Sequence, residues 1–347
     1  MPAAAAYVGS RTIRDWEAPL VEPSPGQVRV DVAYTGVCGT DLHIFHGDMD
    51  SRVSVPAVLG HEMSGVIAQL GPQVGGWEVG DHVTVMPVDW CGDCPACRAG
   101  HQHICHRLDF LGIDSPGALQ RSWVVPSRTL IRLPAELPLD LAALVEPAAV
   151  ACHDVRRAGL RDGEKVLVVG GGPIGLLIAQ VAARSGAQVL LSEPAPGRRD
   201  QAVSLGISVV DPGAGDLAER ITGWTGSAGV DVAFEVSGSG PGVAAAVASL
   251  ATRGRLVLVA IHPRPQPVDL HRLFWRELTL LGARLYTRED FTRAVQEIST
   301  GGIQVRPLIS RVLDLSAAAE AFRLLDSGSG VMKVLIDCRG EQSGIAG

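Results

Sequence analysis

Polar and apolar residues alternate at every step through Gln27-Val28-Arg29-Val30-Asp31-Val32, the period of a strand with one wet and one buried face. The turn cluster Pro23-Ser24-Pro25-Gly26 precedes it. Similar runs at 66–70, 82–85 and 123–125 make residues 1–135 a β-rich, antiparallel-leaning region. From Glu164 the pattern changes. Lys165-Val166-Leu167-Val168-Val169 is an unbroken apolar run, as a sheet covered on both faces requires, and a helix-like stretch from Leu176 to Ser185 follows. Further strands are predicted at 188–192, 230–236, 255–260 and 278–283, giving a unit of about six strands. After Tyr286, helical segments at 291–299 and 316–325 alternate with strands at 307–312 and 331–337. This tail is too short to be a domain and is expected to return to the first one. The predicted organisation is α/β, with a β-rich domain over 1–155, completed by 286–347, and a doubly wound parallel-sheet domain over 156–285.

With 347 residues, 46% of them hydrophobic, the chain can fill two ordinary cores. Aromatics are only 4%, so those cores must rest on Val, Leu and Ala. The net charge of −7 carries no Lys/Arg-rich block, which argues against nucleic acid or an anionic membrane surface as partner. No apolar run reaches membrane-spanning length, and the first residues lack the charged and apolar regions of a secretory signal. A cytoplasmic location is expected. Thiols stay reduced there, so the seven cysteines read as metal ligands or core residues rather than disulfides.

Four of them stand together: Cys91-Gly92-Asp93-Cys94-Pro95-Ala96-Cys97, then Cys105 eight positions on. Two residues between successive thiolates let them converge on one tetrahedral ion, and four leave no open position. A structural zinc is expected, with an iron–sulfur cluster as the competing reading. His101, His103 and His106 nearby read as surface histidines. A second donor set is dispersed. Gly60-His61-Glu62 offers an imidazole and a carboxylate, Cys38 a thiolate, and Glu146 another carboxylate. That mixture suits zinc, and about three protein ligands would leave a position for substrate.

The apolar strand ending at Val169 runs into Gly170-Gly171-Gly172-Pro173-Ile174-Gly175. Gly170, Gly172 and Gly175 fill the three glycine positions of a dinucleotide fingerprint, where they permit a tight turn, close approach of a pyrophosphate and close helix–strand packing. Pro173 and Ile174 open the helix between them. Glu193 ends the next strand 23 residues past Gly170, where a ribose-binding carboxylate is expected. It favours NAD over NADP, with Arg198 and Arg199 close behind it; a planar guanidinium there could stack on adenine.

Over essentially its whole length the chain resembles the zinc-dependent medium-chain dehydrogenases. The carriers are Cys38-Gly39-Thr40-Asp41-Leu42-His43, Gly60-His61-Glu62 with Gly65, Gly71 and Val74, the four-cysteine lobe, and the nucleotide-loop glycines. Glu146-Pro147 followed by Ala151-Cys152-His153 is similar to the sorbitol and butanediol dehydrogenase branch. The resemblance implies a GroES-like catalytic domain and a Rossmann coenzyme domain, with two zinc ions per chain. It implies that Cys38 and His61 ligate the catalytic zinc and that Glu62 and Glu146 ligate it or hold its water. Thr40 would take the substrate proton and His43 would end the relay to solvent. Arg198 would lie near adenine, and the assembly would be a homodimer or homotetramer paired through an edge strand at 278–284. The implied reaction moves hydride between NAD and a secondary alcohol: a polyol, cyclic polyol or vicinal diol. Leu285-Tyr286, with Arg284 one place early, and Ile44 depart from the sorbitol-type pattern and put sorbitol itself in doubt. A threonine-type amino-alcohol dehydrogenase and a non-catalytic NAD-binding protein on the same scaffold are the alternative readings.

Overall fold

The computed structural model describes residues 3–215, 217–328 and 330–340. Contacts gather them into two units, one of Met1–Glu146, Ala294–Ser299 and Leu308–Gly347, the other of Pro147–Arg293 and Thr300–Pro307.

The first unit is built on the ten-residue strand Gln27–Gly36. Its alternation does what its period predicts: Val28, Val30 and Val32 are buried, while Asp31 between them is exposed. Glu62–Leu70 and Ser122–Pro126 pair with it antiparallel, and His82–Val85 and Leu130–Arg132 extend the sheet. On the side away from Glu62–Leu70, which Ser122–Pro126 shares, lie Lys333–Asp337 and, parallel to that strand, Ile309–Asp314. Two strands of the tail thus belong to this sheet. Residues 341–347 of the tail lie outside the described residues. The register matters for chemistry: Gly36 stands opposite both Glu62 and Leu335. Cys38, His61 and Lys333 therefore emerge at one end of the sheet from three neighbouring strands.

The second unit is a six-stranded parallel sheet. Its strands are Lys165–Val169, Gln188–Ser192, Ser208–Val210, Val230–Glu235, Leu250–Leu258 and Thr279–Gly282. Counted in chain order they lie third, second, first, fourth, fifth, sixth, the doubly wound order of a dinucleotide fold. With few aromatics available, Leu167, Leu190, Val230, Ala233, Ala246 and Leu256 fill part of the core. Residues 147–155, 286–293 and 300–307, expected with the first domain, group instead with this unit. The physical reason is one buried carboxylate. Asp290 accepts from His153 Nδ1 at 3.0 Å, from Arg156 Nε at 2.7 Å, and from the Thr287 N–H and hydroxyl at 2.8 and 2.9 Å.

Candidate active site and coenzyme crevice

At the end of the first sheet, Cys38 precedes the helix Gly39–Phe45. Asp41 turns back to accept a hydrogen bond from the Cys38 N–H at 2.8 Å. The other oxygen of this fully buried carboxylate lies 3.7 Å from His61 Nδ1. Both atoms are buried without a hydrogen-bond partner among the described residues. A carboxylate behind one ring nitrogen is the usual support for a histidine that ligates a metal through the other. The Phe110 ring stands edge-on to His61 with centroids 5.2 Å apart, fixing the imidazole plane. Burial works to lower the His61 pKa. The Asp41 carboxylate, the Cys38 thiol and the Glu146 carboxylate outweigh it and push that pKa well above the usual range. A site this rich in anionic donors calls for a cation, and the donor set fits zinc.

Glu62 and Glu146 are distinguished here. Both oxygens of Glu62 lie 2.7 Å from Nζ of Lys333, which also donates to the Val37 carbonyl at 3.3 Å. Glu146, at the start of the helix Val145–Ala158, is only 4% exposed, and its charge helps to raise both His61 and Lys333. Thr40 is half-buried in the first turn of its helix. His43 is 34% exposed, its Nδ1 3.0 Å from Asp48 Oδ2, and it holds the Asp48 carboxyl below its usual range. Ile44 is fully buried.

The sequence left Asp41 without a role and did not suggest Lys333. Asp41 carried a signal, its place three residues after Cys38. Lys333 carried none that could be read, because its partner is 271 residues away.

In the lobe, Cys91, Cys94, Cys97 and Cys105 bring their sulfurs within 4.8 Å of one another. Cys91–Cys97, Cys94–Cys105 and Cys91–Cys105 are 3.9, 3.8 and 3.4 Å apart. A tetrahedron with metal–sulfur bonds of about 2.3 Å has an edge near 3.8 Å, while a disulfide spans only about 2.05 Å. Backbone N–H groups of Cys97 and His106 point at Cys94 and hold its thiol down to about 6. Burial pushes Cys97 up to about 12. Arg107 pairs with Asp93 at the rim.

In the second unit, Val169 stands level with both Ser192 and Glu235, so the nucleotide loop starts where the strand order reverses. Gly170 takes φ +110°. A Cβ on Gly175 would lie 1.9 Å from the Gly170 carbonyl oxygen, whereas one on Gly172 would meet nothing within 4 Å. The first of these positions admits only glycine; the second faces open space, as a site for pyrophosphate must. Gly172 caps the helix Pro173–Arg184, with Ile174 half-buried in its first turn. Glu193 is 3% exposed, and its oxygens accept from Gly171 N at 2.7 Å and Ala195 N at 2.8 Å. Arg199 is engaged by Asp211 and by the Glu193 and Pro194 carbonyls. Arg198 is half-buried with no polar partner among the described residues. Tyr286 is fully buried against Phe291, ring centroids 4.7 Å apart.

Residues 24–135 match the alcohol dehydrogenase GroES-like domain, and residues 173–300 match the zinc-binding dehydrogenase family. A 2-dehydro-3-deoxy-L-galactonate 5-dehydrogenase of Pseudoalteromonas atlantica is 50% identical over 339 residues, 98% of this chain and 99% of that protein. The chain belongs to the zinc-dependent medium-chain dehydrogenase family. As a member of that family it is a zinc-binding alcohol dehydrogenase. The 2R,3R-butanediol dehydrogenase of Bacillus subtilis, 30% identical, superimposes with a TM-score of 0.88 over 96% of this chain and 99% of that one. A zinc-binding dehydrogenase of Sinorhizobium meliloti 1021 bound to NADP, 31% identical, gives 0.90 over 96% and 98%. The family and the two-part α/β fold expected from the motifs are borne out.

Proposed function

We propose that this dehydrogenase oxidises a secondary hydroxyl of a carboxylate-bearing polyol, using NAD and a zinc held by Cys38, His61 and Glu146. The observation that carries the metal reading is the division of labour between two carboxylates. Lys333 engages both oxygens of Glu62, whereas the charges of Cys38 and Glu146 act on His61, the imidazole that Asp41 backs. Bound there, zinc supplies Lewis-acid stabilisation of negative charge on the substrate oxygen. Asp41 orients His61, and Glu62 with Lys333 sets the charge behind the site. Thr40, two residues from Cys38, takes the hydroxyl proton. His43, partly exposed and backed by Asp48, delivers it to solvent. The four lobe cysteines hold a second, structural zinc.

The substrate class rests on the 50% identical relative, whose name specifies a deoxy sugar acid oxidised at carbon 5. NAD rests on Glu193. Its oxygens are anchored by backbone N–H groups yet keep lone pairs for ribose hydroxyls, and its charge opposes a 2′-phosphate. Among the described residues the Arg198 guanidinium has no side-chain partner, which suits it to stack on adenine.

A second copy of the chain is the proposed partner, as homodimer or homotetramer. The strand Thr279–Gly282 pairs on one side only among the described residues. Leu270, Phe274 and Trp275 of the preceding helix are 69%, 78% and 72% exposed, an apolar surface beside an open edge. Among the described residues no helix is long and apolar enough to cross a membrane. We assign the chain to the cytoplasm, where free cysteines gathered for a metal stay reduced.

The test is formation of NADH or NADPH from 3-deoxy-2-keto sugar acids, polyols, inositols, butane-2,3-diol and threonine, with NAD and with NADP respectively, each with and without a zinc chelator. Chelator-sensitive turnover of a sugar acid is expected. Turnover confined to threonine or to an uncharged diol would overturn the substrate class.

A further inference from the structure

Glu235 is the last residue of the fourth strand of the parallel sheet, level with Val169 at the point where the strand order reverses. Its side chain is completely buried. One oxygen accepts from Ser237 N at 2.9 Å, Ser237 Oγ at 2.5 Å and Gly238 N at 3.1 Å. The other meets His262 Nε2 at 2.9 Å. The Glu235 backbone carbonyl accepts from Val259 N at 3.0 Å and Ala260 N at 3.2 Å. A single residue thus fastens two loops, the one it begins and the one that leaves the fifth strand.

Both loops border the crevice. A Cβ on Gly170 would lie 2.9 Å from Ser237 N, so the first loop abuts the start of the nucleotide loop. In a doubly wound sheet the first three strands take one mononucleotide and the last three the other. Glu193 stands on the adenosine side, and the loops held by Glu235 stand on the other. His262 Nδ1 is buried with no partner among the described residues, a cost that protein structures rarely leave standing.

We propose that Glu235 and His262 are a positioning pair for the nicotinamide half of the coenzyme. The buried carboxylate shapes the 236–239 loop, and His262 draws the 259–262 loop onto it, so that the second mononucleotide meets a preformed wall. The proposal rests on the reading of this crevice as a nicotinamide-coenzyme site.

The test compares wild type, H262A and H262Q by titration with NADH and with ADP, which carries the adenosine half alone. H262A is expected to weaken NADH by about tenfold and to leave ADP binding unchanged; it also strands one oxygen of the buried Glu235 carboxylate, so the melting temperature falls and binding is measured well below it. H262Q, whose amide can still donate to Glu235, is expected to recover most of the loss. NADH affinity unchanged in H262A overturns the proposal. Equal losses for NADH and ADP also overturn it, since they mark a general brace of the fold. If wild type binds ADP but neither NADH nor NADPH, the coenzyme reading itself fails, and the proposal with it.

Discussion

Lys333 Nζ lies 2.7 Å from both carboxylate oxygens of Glu62, and both side chains are buried. The pair exists because the tail strand Lys333–Asp337 and the strand Glu62–Leu70 flank Gln27–Gly36 on opposite sides. Gly36 leaves the room: a Cβ there would lie 2.3 Å from Glu62 Oε2. Removing one partner strands the other as a buried charge, whereas removing both does not. K333M is expected to cost about 3–5 kcal/mol, and K333M combined with E62L to recover most of it. Urea unfolding of wild type, K333M, E62L and the double variant measures this. A double variant no more stable than K333M would show that the pair is not coupled in this way.

The same pair marks how far the sequence could be read. Alternation announced Gln27–Gly36, and an unbroken apolar run announced Lys165–Val169, because strand period is local. Metal donors showed themselves by type, and the lobe also by spacing within fifteen residues of chain. Gly170, Gly172, Gly175 and Glu193 were legible because a nucleotide loop is one short strand–turn–helix segment. Lys333, Glu235 and Asp290 were not. Each is an ordinary charged residue until strand register or a distant loop supplies its partner, and register over hundreds of residues is not written in local pattern. The boundary near 146–155 failed to show for a related reason, since Asp290 binds His153 and Arg156 from far along the chain.

Asp290 should appear in the acid limb of stability. Burial pushes its carboxyl up, but Arg156, His153 and the Thr287 N–H and hydroxyl outweigh this and hold it well below the usual carboxylate range. A depressed folded-state pKa contributes stability that is fully present above the unfolded value and is lost as pH falls through the folded one. Below about pH 4 wild type is therefore expected to lose stability that D290N does not lose. At pH 7 D290N should be weaker by about 1–3 kcal/mol. Urea midpoints from pH 7 to pH 3 test this; parallel curves would assign the acid limb to other carboxylates.

The two donor sets should separate by metal content. C38S is expected to abolish turnover and to reduce zinc from about two per chain to about one. C97S should lose the other ion, lowering the melting temperature while leaving the Cys38 set loaded. Metal analysis with parallel activity assays reads both. Full turnover in C38S would end the catalytic assignment, and unchanged zinc in C97S would end that of the lobe.

Glu193 should decide the coenzyme. Its carboxylate accepts from Gly171 N and Ala195 N, so it both supports the nucleotide loop and presents charge where the adenosine ribose belongs. E193A removes acceptors for the ribose hydroxyls and the repulsion of a 2′-phosphate together. Loss of two hydrogen-bonding functions is expected to lower kcat/KM with NAD about tenfold or more. NADP, which gains from the loss of charge what it loses in loop support, should change less, so that the preference narrows. E193Q separates the causes: it keeps an acceptor and removes the charge, and should retain more NAD turnover than E193A while still admitting NADP. Steady-state kinetics with both coenzymes tests this. An unaltered NAD/NADP ratio in both variants would mean that the ribose is held elsewhere, and would turn attention to Arg198.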